Sequence, residues 1–316
     1  MSDVLTVGEV MGCLRADGPV KLGCTARLSI AGAEANVAIG LARLGHDVGF
    51  VGVVGLDQLG ELVRRTLRAE GVGIDAIRRN SAPTGIVLFE QRLPGLMRVD
   101  YHRLGSAGSR LAASDVQAAF AASPAPPRIL HVTGVTLALG EGAVEAVRVA
   151  VRLAKDLGTT VCLDVNHRSQ LWPEPLARQL LTELSGNADL VIASEDELGL
   201  AAPSGEDEAS QVKALLDKGA TEVVVKRGAD GATVFTAGEV LSLPAKPVTA
   251  VDTIGAGDGF VAGYLSGLLE DLPLRERLTR AITLGAFAVA SQGDWEGLPV
   301  RSELLMLDLP DGTAVR

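Results

Sequence analysis

Paired cysteines, basic charge and long apolar runs are all scarce in this chain. Its three cysteines, Cys13, Cys24 and Cys162, form neither a CxxC pair nor an even framework. That usage fits a reducing cytosol, where lone cysteines behave as small hydrophobes. Lys and Arg number 29 against 39 Asp and Glu, a net charge of −10. So acidic a chain is a poor candidate for sequence-independent nucleic-acid or anionic-membrane binding, since both rest on basic patches. No stretch approaches the roughly 18 uninterrupted apolar residues of a membrane span. Asp3 and Glu9 stand where a signal peptide would be apolar. A cytoplasmic protein with no nucleic-acid or membrane partner is expected. Around His46 and His131 there is no metal spacing of the HExxH kind, so core or surface positions are expected for both. Gly8-Glu9-Val10-Met11-Gly12 is no G-x-G-x-x-G, which gives nicotinamide dinucleotides little support. Internal repeats, charge runs and long linkers are missing as well.

What is present is an ordinary globular composition, 47% hydrophobic and 22% charged over 316 residues. That length suits roughly two domains, or one large one with an appendage. Glycine is in excess, at 37 of 316 residues, or about 12% against a usual 7% or so. From residue 111 onward, short β-branched runs at 129–132, 161–165, 190–193 and 222–226 alternate with Ala/Leu-rich stretches of helical period. One of these, 142–157, sets Val144, Val147, Val151 and Leu153 against Glu145, Arg148 and Arg152 and stops at Gly158. Such alternation predicts an α/β fold with a mostly parallel sheet and helices on both faces. Two segments break the pattern. Runs 85–91 and 97–103 flank Leu93-Pro94-Gly95-Leu96, a turn signal that predicts a hairpin. The stretch 11–30 is also non-helical. Together, about 11–30 and 83–105 predict a small β lid inserted in an α/β core that spans 1–316.

The most informative segment is 251–260, with Gly255, Ala256 and Gly257 at the start of a helix whose apolar positions are Phe260, Val261, Tyr264, Leu265, Leu268 and Leu269. The first amides of a helix lack internal partners and carry the positive end of its dipole. Small residues there let an anion approach the backbone closely. Asp258 beside such a site reads either as a general base taking a proton from an attacking hydroxyl, or as a helix N-cap with glycines serving close packing.

Asp252-Thr253-Ile254-Gly255-Ala256-Gly257-Asp258-Gly259-Phe260 resembles the C-terminal signature of the ribokinase-like (PfkB) carbohydrate kinases. Ala31-Gly32-Ala33-Glu34-Ala35-Asn36-Val37-Ala38, continuing to Leu41-Ala42-Arg43-Leu44-Gly45, resembles their N-terminal signature, roughly 220 residues earlier. The resemblance covers essentially the whole chain and implies a three-layer αβα sandwich with a β-sheet lid. It implies ATP-dependent phosphorylation of a sugar hydroxyl, with Asp258 as base and the amides of Gly255, Ala256 and Gly257 as anion hole. Lys226-Arg227-Gly228-Ala229-Asp230-Gly231 resembles the family's K-x-G-x-x-G loop, implying nucleotide contacts from Lys226, Gly228 and Gly231; alone it would be an ordinary turn between strands. Ser194-Glu195-Asp196-Glu197 falls where the family has N-x-x-E, which implies Mg²⁺ support by Glu197 through water, with Ser194 in the place of Asn. Read alone, 195–197 is an acidic first helical turn. Gly32 and Asn36 match sugar-contacting positions, although Asn36 by itself would read as a helix-start hydrogen bonder. A monovalent cation beside Asp252 is left open, and pairing of copies through the lid is implied.

Three segments resemble the 2-keto-3-deoxygluconate kinases within that family: Tyr101-His102-Arg103-Leu104-Gly105-Ser106-Ala107, Asp164-Val165-Asn166-His167-Arg168-Ser169-Gln170-Leu171-Trp172, and Gly293-Asp294-Trp295-Glu296-Gly297-Leu298-Pro299. His102 and His167 stand where Tyr is frequent, and Ala31 replaces a common Gly. A sugar acid carries a carboxylate, which guanidinium forks bind bidentately. Arg103 and Arg168 are therefore expected to face it, with Tyr101 adding a ring or hydroxyl contact. The expected reaction is phosphorylation of 2-keto-3-deoxygluconate; the alternatives are a kinase of fructose, another ketodeoxy acid or a nucleoside, and a non-catalytic sugar sensor. The glycines at 32, 228, 231, 255 and 257 are expected where backbone must approach a ligand.

Overall fold

A computed structural model describes residues 2–93, 96–309 and 313. Strand β1 (Val4–Val7) is buried throughout, and β2 (Met11–Ala16) and β3 (Ala26–Ala31) follow it as an antiparallel pair. Next come α1 (Ala33–Arg43), β4 (Val48–Gly55), α2 (Gln58–Ala69) and β5 (Ile77–Asn80). The expected hairpin is β6 (Ile86–Leu93) with β7 (Leu96–His102); its Pro94-Gly95 turn lies outside the described residues. Regular alternation then runs through α3 (Ala113–Ala122), β8 (Ile129–Thr133), α4 (Gly134–Leu137), α5 (Glu141–Asp156), β9 (Thr160–Asp164), α6 (Glu174–Ser185), β10 (Leu190–Ser194), α7 (Leu198–Ala201), α8 (Glu208–Asp217) and β11 (Glu222–Lys226). There it stops, because β12 (Ala232–Phe235) and β13 (Val240–Leu243) return as antiparallel strands. Two helices, α9 (Ala256–Leu269) and α10 (Leu274–Val289), follow.

The large sheet has the order β13-β12-β11-β10-β9-β8-β1-β4-β5, and every pairing from β11 to β5 is parallel. Alternating side chains feed two cores, as a doubly covered sheet requires. In β10, Leu190 and Ile192 join the layer packed under α1, α9 and α10. Val191 and Ala193 join the opposite layer under α5, α6 and α8. Among the described residues, no helix is long and apolar enough to cross a membrane.

A separate four-stranded sheet, β3-β2-β6-β7, is built from the two segments that broke the helical pattern. Its inner face carries Met11, Cys13, Val87 and Phe89, which pack with Val99 and Tyr101 and with Ile254 of the main body. Arg15 falls on that same inner face by the two-residue period of β2. The apolar underside seats the small sheet over one edge of the large one.

Candidate active site

The strand order reverses around β1, which has β4 on one side and β8 on the other. In open α/β sheets ligands gather beyond the carboxyl ends of the strands at such a point. Here Glu9 follows β1, Asp164 ends β9, Ser194 ends β10 and Lys226 ends β11. Above them, the small sheet and the first turn of α9 enclose a cleft of about 610 Å³. Of the residues singled out in the sequence, Gly32, Asn36, Tyr101, Arg103, Arg168, Ser194, Glu197, Lys226, Gly228, Gly255, Gly257 and Asp258 line it. Ala256 turns its side chain into the core and offers only backbone. Gly231 stands outside the lining, and a Cβ there would fall 2.0 Å from the Leu243 carbonyl oxygen. Its glycine is required by packing against the end of β13, not by the cleft.

Asp258 is not a helix cap. The N-cap of α9 is Gly255, in the left-handed region at φ 77°, and a Cβ on it would lie 1.9 Å from the Asp294 carbonyl oxygen. The helical ladder begins with the Gly259 N–H to Gly255 C=O bond of 2.8 Å, which leaves the Gly257 and Asp258 amides without an intrahelical partner, while the Ala256 N–H reaches back to the Thr253 carbonyl at 3.4 Å. Asp258 is the third helical residue, and its carboxylate is gripped from both sides. Asn36 Nδ2 donates to one oxygen at 2.7 Å, and Asn166 Nδ2 to the other at 3.2 Å. Burial pushes the Asp258 carboxyl up to about 6, against the pull of Arg168 and the Asn36 bond. Asn166 takes φ 35°, a left-handed conformation that Asn tolerates better than most residues.

Behind Asn166 the polar string continues. Asn166 Nδ2 also donates to Asp164 at 3.1 Å, and Asp164 pairs with the Lys226 ammonium at 3.0 Å. Burial alone would depress Lys226, but Asp164 and Glu197 outweigh it and hold the ammonium above its usual value. A Cβ on Gly257 would come 3.6 Å from Lys226 Nζ, so this cation stands beside the free amides of α9. The side-chain oxygens of Asn36 and Asn166 are buried with no partner. Both are acceptors left open next to Asp258.

At another part of the cleft, Arg103 is about nine-tenths buried. Its Nε lies 2.7 Å from Glu9 Oε2, without the alignment of a hydrogen bond, and its guanidinium is 5.9 Å from the centre of the Tyr101 ring. Ser106 donates to the other Glu9 oxygen at 2.6 Å. Both terminal nitrogens of Arg103 are buried and without a partner. Arg168 differs in being exposed at the rim.

Both oxygens of Glu197 are engaged: one accepts from the His167 N–H at 2.7 Å, the other from the Ser194 hydroxyl at 2.7 Å and N–H at 3.1 Å. Among the described residues, no group of three or more His, Cys, Asp or Glu side chains could hold a metal ion. Glu197 lines the cleft, whereas Asp164 is wholly buried behind it, one oxygen held by Lys226 and the other by Asn166.

Glu9, Arg15, Asp164, Asn166, Asp252 and Asp294 belong to the site or its support without having been singled out as site residues. Arg15 Nη1 meets Asp252 at 2.6 Å, and Nη2 meets Asp294 at 2.7 Å, all three side chains being buried. Its guanidinium also lies 4.6 Å from the Phe89 ring centre. Burial raises Asp294 to about 7 despite Arg15. Two signals were available for such residues: short polar side chains directly after a buried parallel strand, as in Asp164-Val165-Asn166, and a lone Arg on the apolar face of an alternating strand.

Comparison with known proteins agrees with this geometry. The family model described as pfkB family carbohydrate kinase matches residues 1–301. A 2-dehydro-3-deoxygluconokinase of Bacillus subtilis is 34% identical, covering 96% of this chain and 94% of the relative. A fructokinase of Klebsiella pneumoniae is 36% identical, covering 86% and 90%. Among solved structures, a putative ribokinase II from E. coli in complex with ATP and Mg²⁺ superimposes with a TM-score of 0.88 at 26% identity, covering 98% of this chain and 99% of that one.

Proposed function

The chain belongs to the pfkB family of carbohydrate kinases, and on that premise we propose that it transfers the γ-phosphoryl group of ATP to a primary hydroxyl of a sugar acid, 2-keto-3-deoxygluconate at O6. The observation that carries the substrate class is Arg103, a nine-tenths buried guanidinium whose two terminal nitrogens have no partner inside the protein. Buried donors left open are costly, and a carboxylate satisfies both at once in the fork geometry that guanidinium favours. Glu9 already answers the charge through Nε, so what stays open is the pair of terminal donors, which two carboxylate oxygens match better than separate neutral hydroxyls. The 2-dehydro-3-deoxygluconokinase relative supports the same substrate.

Chemistry takes place at the Asp258 end. The attacking hydroxyl gives its proton to Asp258 as its oxygen bonds to phosphorus and the bond to the ADP oxygen breaks. Burial keeps the carboxyl near 6, basic enough to assist yet ionised at neutral pH. The Asn36 and Asn166 amides hold both carboxylate oxygens in place, and their own open oxygens accept sugar hydroxyls. Charge on the transferring group is met by the free amides of α9, by Lys226 and by Arg168 at the rim. In this reading Ser194, Gly228 and Gly257 of the cleft lining serve the nucleotide, and Gly32 and Tyr101 of the same lining serve the sugar. Mg²⁺ bound to the nucleotide would supply further charge neutralisation, with Glu197 in the cleft lining serving it through water. The small sheet acts as a lid that keeps water from the phosphoryl group. Exposed Leu28 and Leu96 on the lid support pairing of copies there, in a cytoplasmic enzyme.

The test is ADP release with ketodeoxy sugar acids, fructose, ribose and adenosine. Turnover with a sugar acid should exceed that with every neutral compound by about a hundredfold in kcat/KM, the value of about 3 kcal/mol from one buried bidentate pair. Preference for fructose or adenosine would overturn the substrate class. Absence of ADP with every compound would favour a sugar sensor.

A further inference from the structure

We propose that Arg15 is a positioning residue that couples the small sheet to the phosphate-binding turn, so that the turn reaches its working shape only while β2 is seated on the body. The inference rests on reading the start of α9 as the phosphoryl site. Arg15 does not line the cleft, so it acts through what it holds. It holds two segments 42 positions apart, Asp252 and Asp294, with one guanidinium fork.

Those two segments form the mould of the turn. Asp252 accepts the Ile254 N–H at 3.1 Å, which curls the chain toward Gly255. Asp294 presents its carbonyl oxygen where a Cβ of residue 255 would stand, at 1.9 Å. The amides of α9 are thus aimed by contact between the 252 and 294 segments. Without the guanidinium, two buried carboxylates face the same space with no cation between them, and like charges in a low-dielectric site drive such segments apart. The cation comes from the small sheet, 237 residues from Asp252 and 279 from Asp294 in sequence. The same sheet grips the 294 segment twice more: Trp295 Nε1 donates to the Ile30 carbonyl at 3.0 Å, and Ser29 donates to Glu296 at 2.6 Å. Displacement of the small sheet therefore draws the cation out of the turn it shapes.

The experiment uses full-length Arg15→Ala and Arg15→Lys, assayed with whichever sugar the wild type phosphorylates. Arg15→Ala should lose about 10²-fold in kcat, the value of a misaimed anion-hole donor, with ADP affinity by calorimetry down about tenfold. The sugar KM should stay within about threefold, because Arg15 and the sugar share no contact. Millimolar guanidinium ion should restore kcat and ADP affinity to Arg15→Ala, whereas equal sodium should not. Arg15→Lys should keep the wild-type melting temperature, since it retains the charge, yet lose kcat for want of the fork. Three results overturn the proposal: kcat of Arg15→Ala within about threefold of wild type, loss of kcat, sugar KM and melting temperature together without guanidinium rescue, or an Arg15→Lys variant indistinguishable from wild type. ADP affinity and its rescue do not depend on the sugar, so a wrong substrate class leaves this test standing.

Discussion

Replacing Arg103 by methionine keeps an unbranched apolar stem and removes the fork. In the free enzyme the two terminal nitrogens have no protein partner, so a bound carboxylate gains two charge-assisted hydrogen bonds. At about 1.5 kcal/mol each, the low end for a hydrogen bond to a charged group, the loss is about 3 kcal/mol. That is about a hundredfold in affinity for the sugar acid. A second cost falls on stability. Glu9 is 3% exposed and would face a methionine in place of its counter-cation. Breaking one partner of such a buried pair costs about 3–5 kcal/mol. The double variant Glu9→Gln/Arg103→Met removes that second cost, since glutamine still accepts from Ser106 and carries no charge. The two costs therefore separate. Initial rates of ADP release at saturating ATP should show the sugar-acid KM raised about a hundredfold in both variants, while urea denaturation shows the double variant recovering most of the lost stability. A KM change under about threefold in either variant, or a KM that recovers together with stability, would refute the carboxylate assignment.

Asp258→Asn should lower kcat by about 10² to 10⁴, the usual worth of a general base, while calorimetric sugar binding persists, because Asn36 can turn its open oxygen to the new amide. Turnover near wild type would remove Asp258 from the base role. The wild-type pH profile follows from the same carboxyl, raised to about 6: the carboxylate is the active form, so kcat/KM for sugar should be level above about pH 7 and fall about tenfold per unit well below pH 6. A profile flat down to pH 5 would contradict it. Gly255→Ala should cost at least about 3 kcal/mol, combining the left-handed penalty with the clash on the Asp294 carbonyl. An unchanged urea midpoint would show that the turn can relax.

Much of the frame was legible because buried parallel strands advertise themselves as short β-branched runs. The runs at 129–132, 190–193 and 222–226 fall in β8, β10 and β11. At 226–231 only a turn between strands was legible; β12 and β13 themselves, four residues each, are too short to display a period. Asp258 and Asn36 stood out as polar residues among small ones at helix starts, but that they touch is a fact of tertiary folding. Asn166 lay in a quoted motif without a role, since its role depends on φ 35° and on Asp164 behind it. Arg103 was legible as a cation, whereas its unpaired nitrogens depend on Glu9 drawing up only one side of the guanidinium. The glycines divide. A Cβ on those at 32, 231 and 255 would fall 2.4, 2.0 and 1.9 Å from the carbonyl oxygens of Glu9, Leu243 and Asp294, whereas one on Gly228 would meet no atom within 4 Å. Excess glycine counted close backbone packing at least as much as ligand approach.

The bonds that build the site span most of the chain, with Asn36 meeting Asp258 222 residues later and Arg15 meeting Asp294 279 residues later. Contacts so distant in sequence close late. During synthesis, which proceeds at about 5–20 residues per second, the segment bearing Asn36 and Arg15 is made long before its partners. A nascent chain short of residue 294 has the small sheet's strands but a guanidinium with at most one of its two carboxylate partners, and no turn shaped to receive phosphate. Catalytic competence therefore waits on synthesis of the 294 segment, and a chain that stops short of it has no assembled site with which to consume ATP.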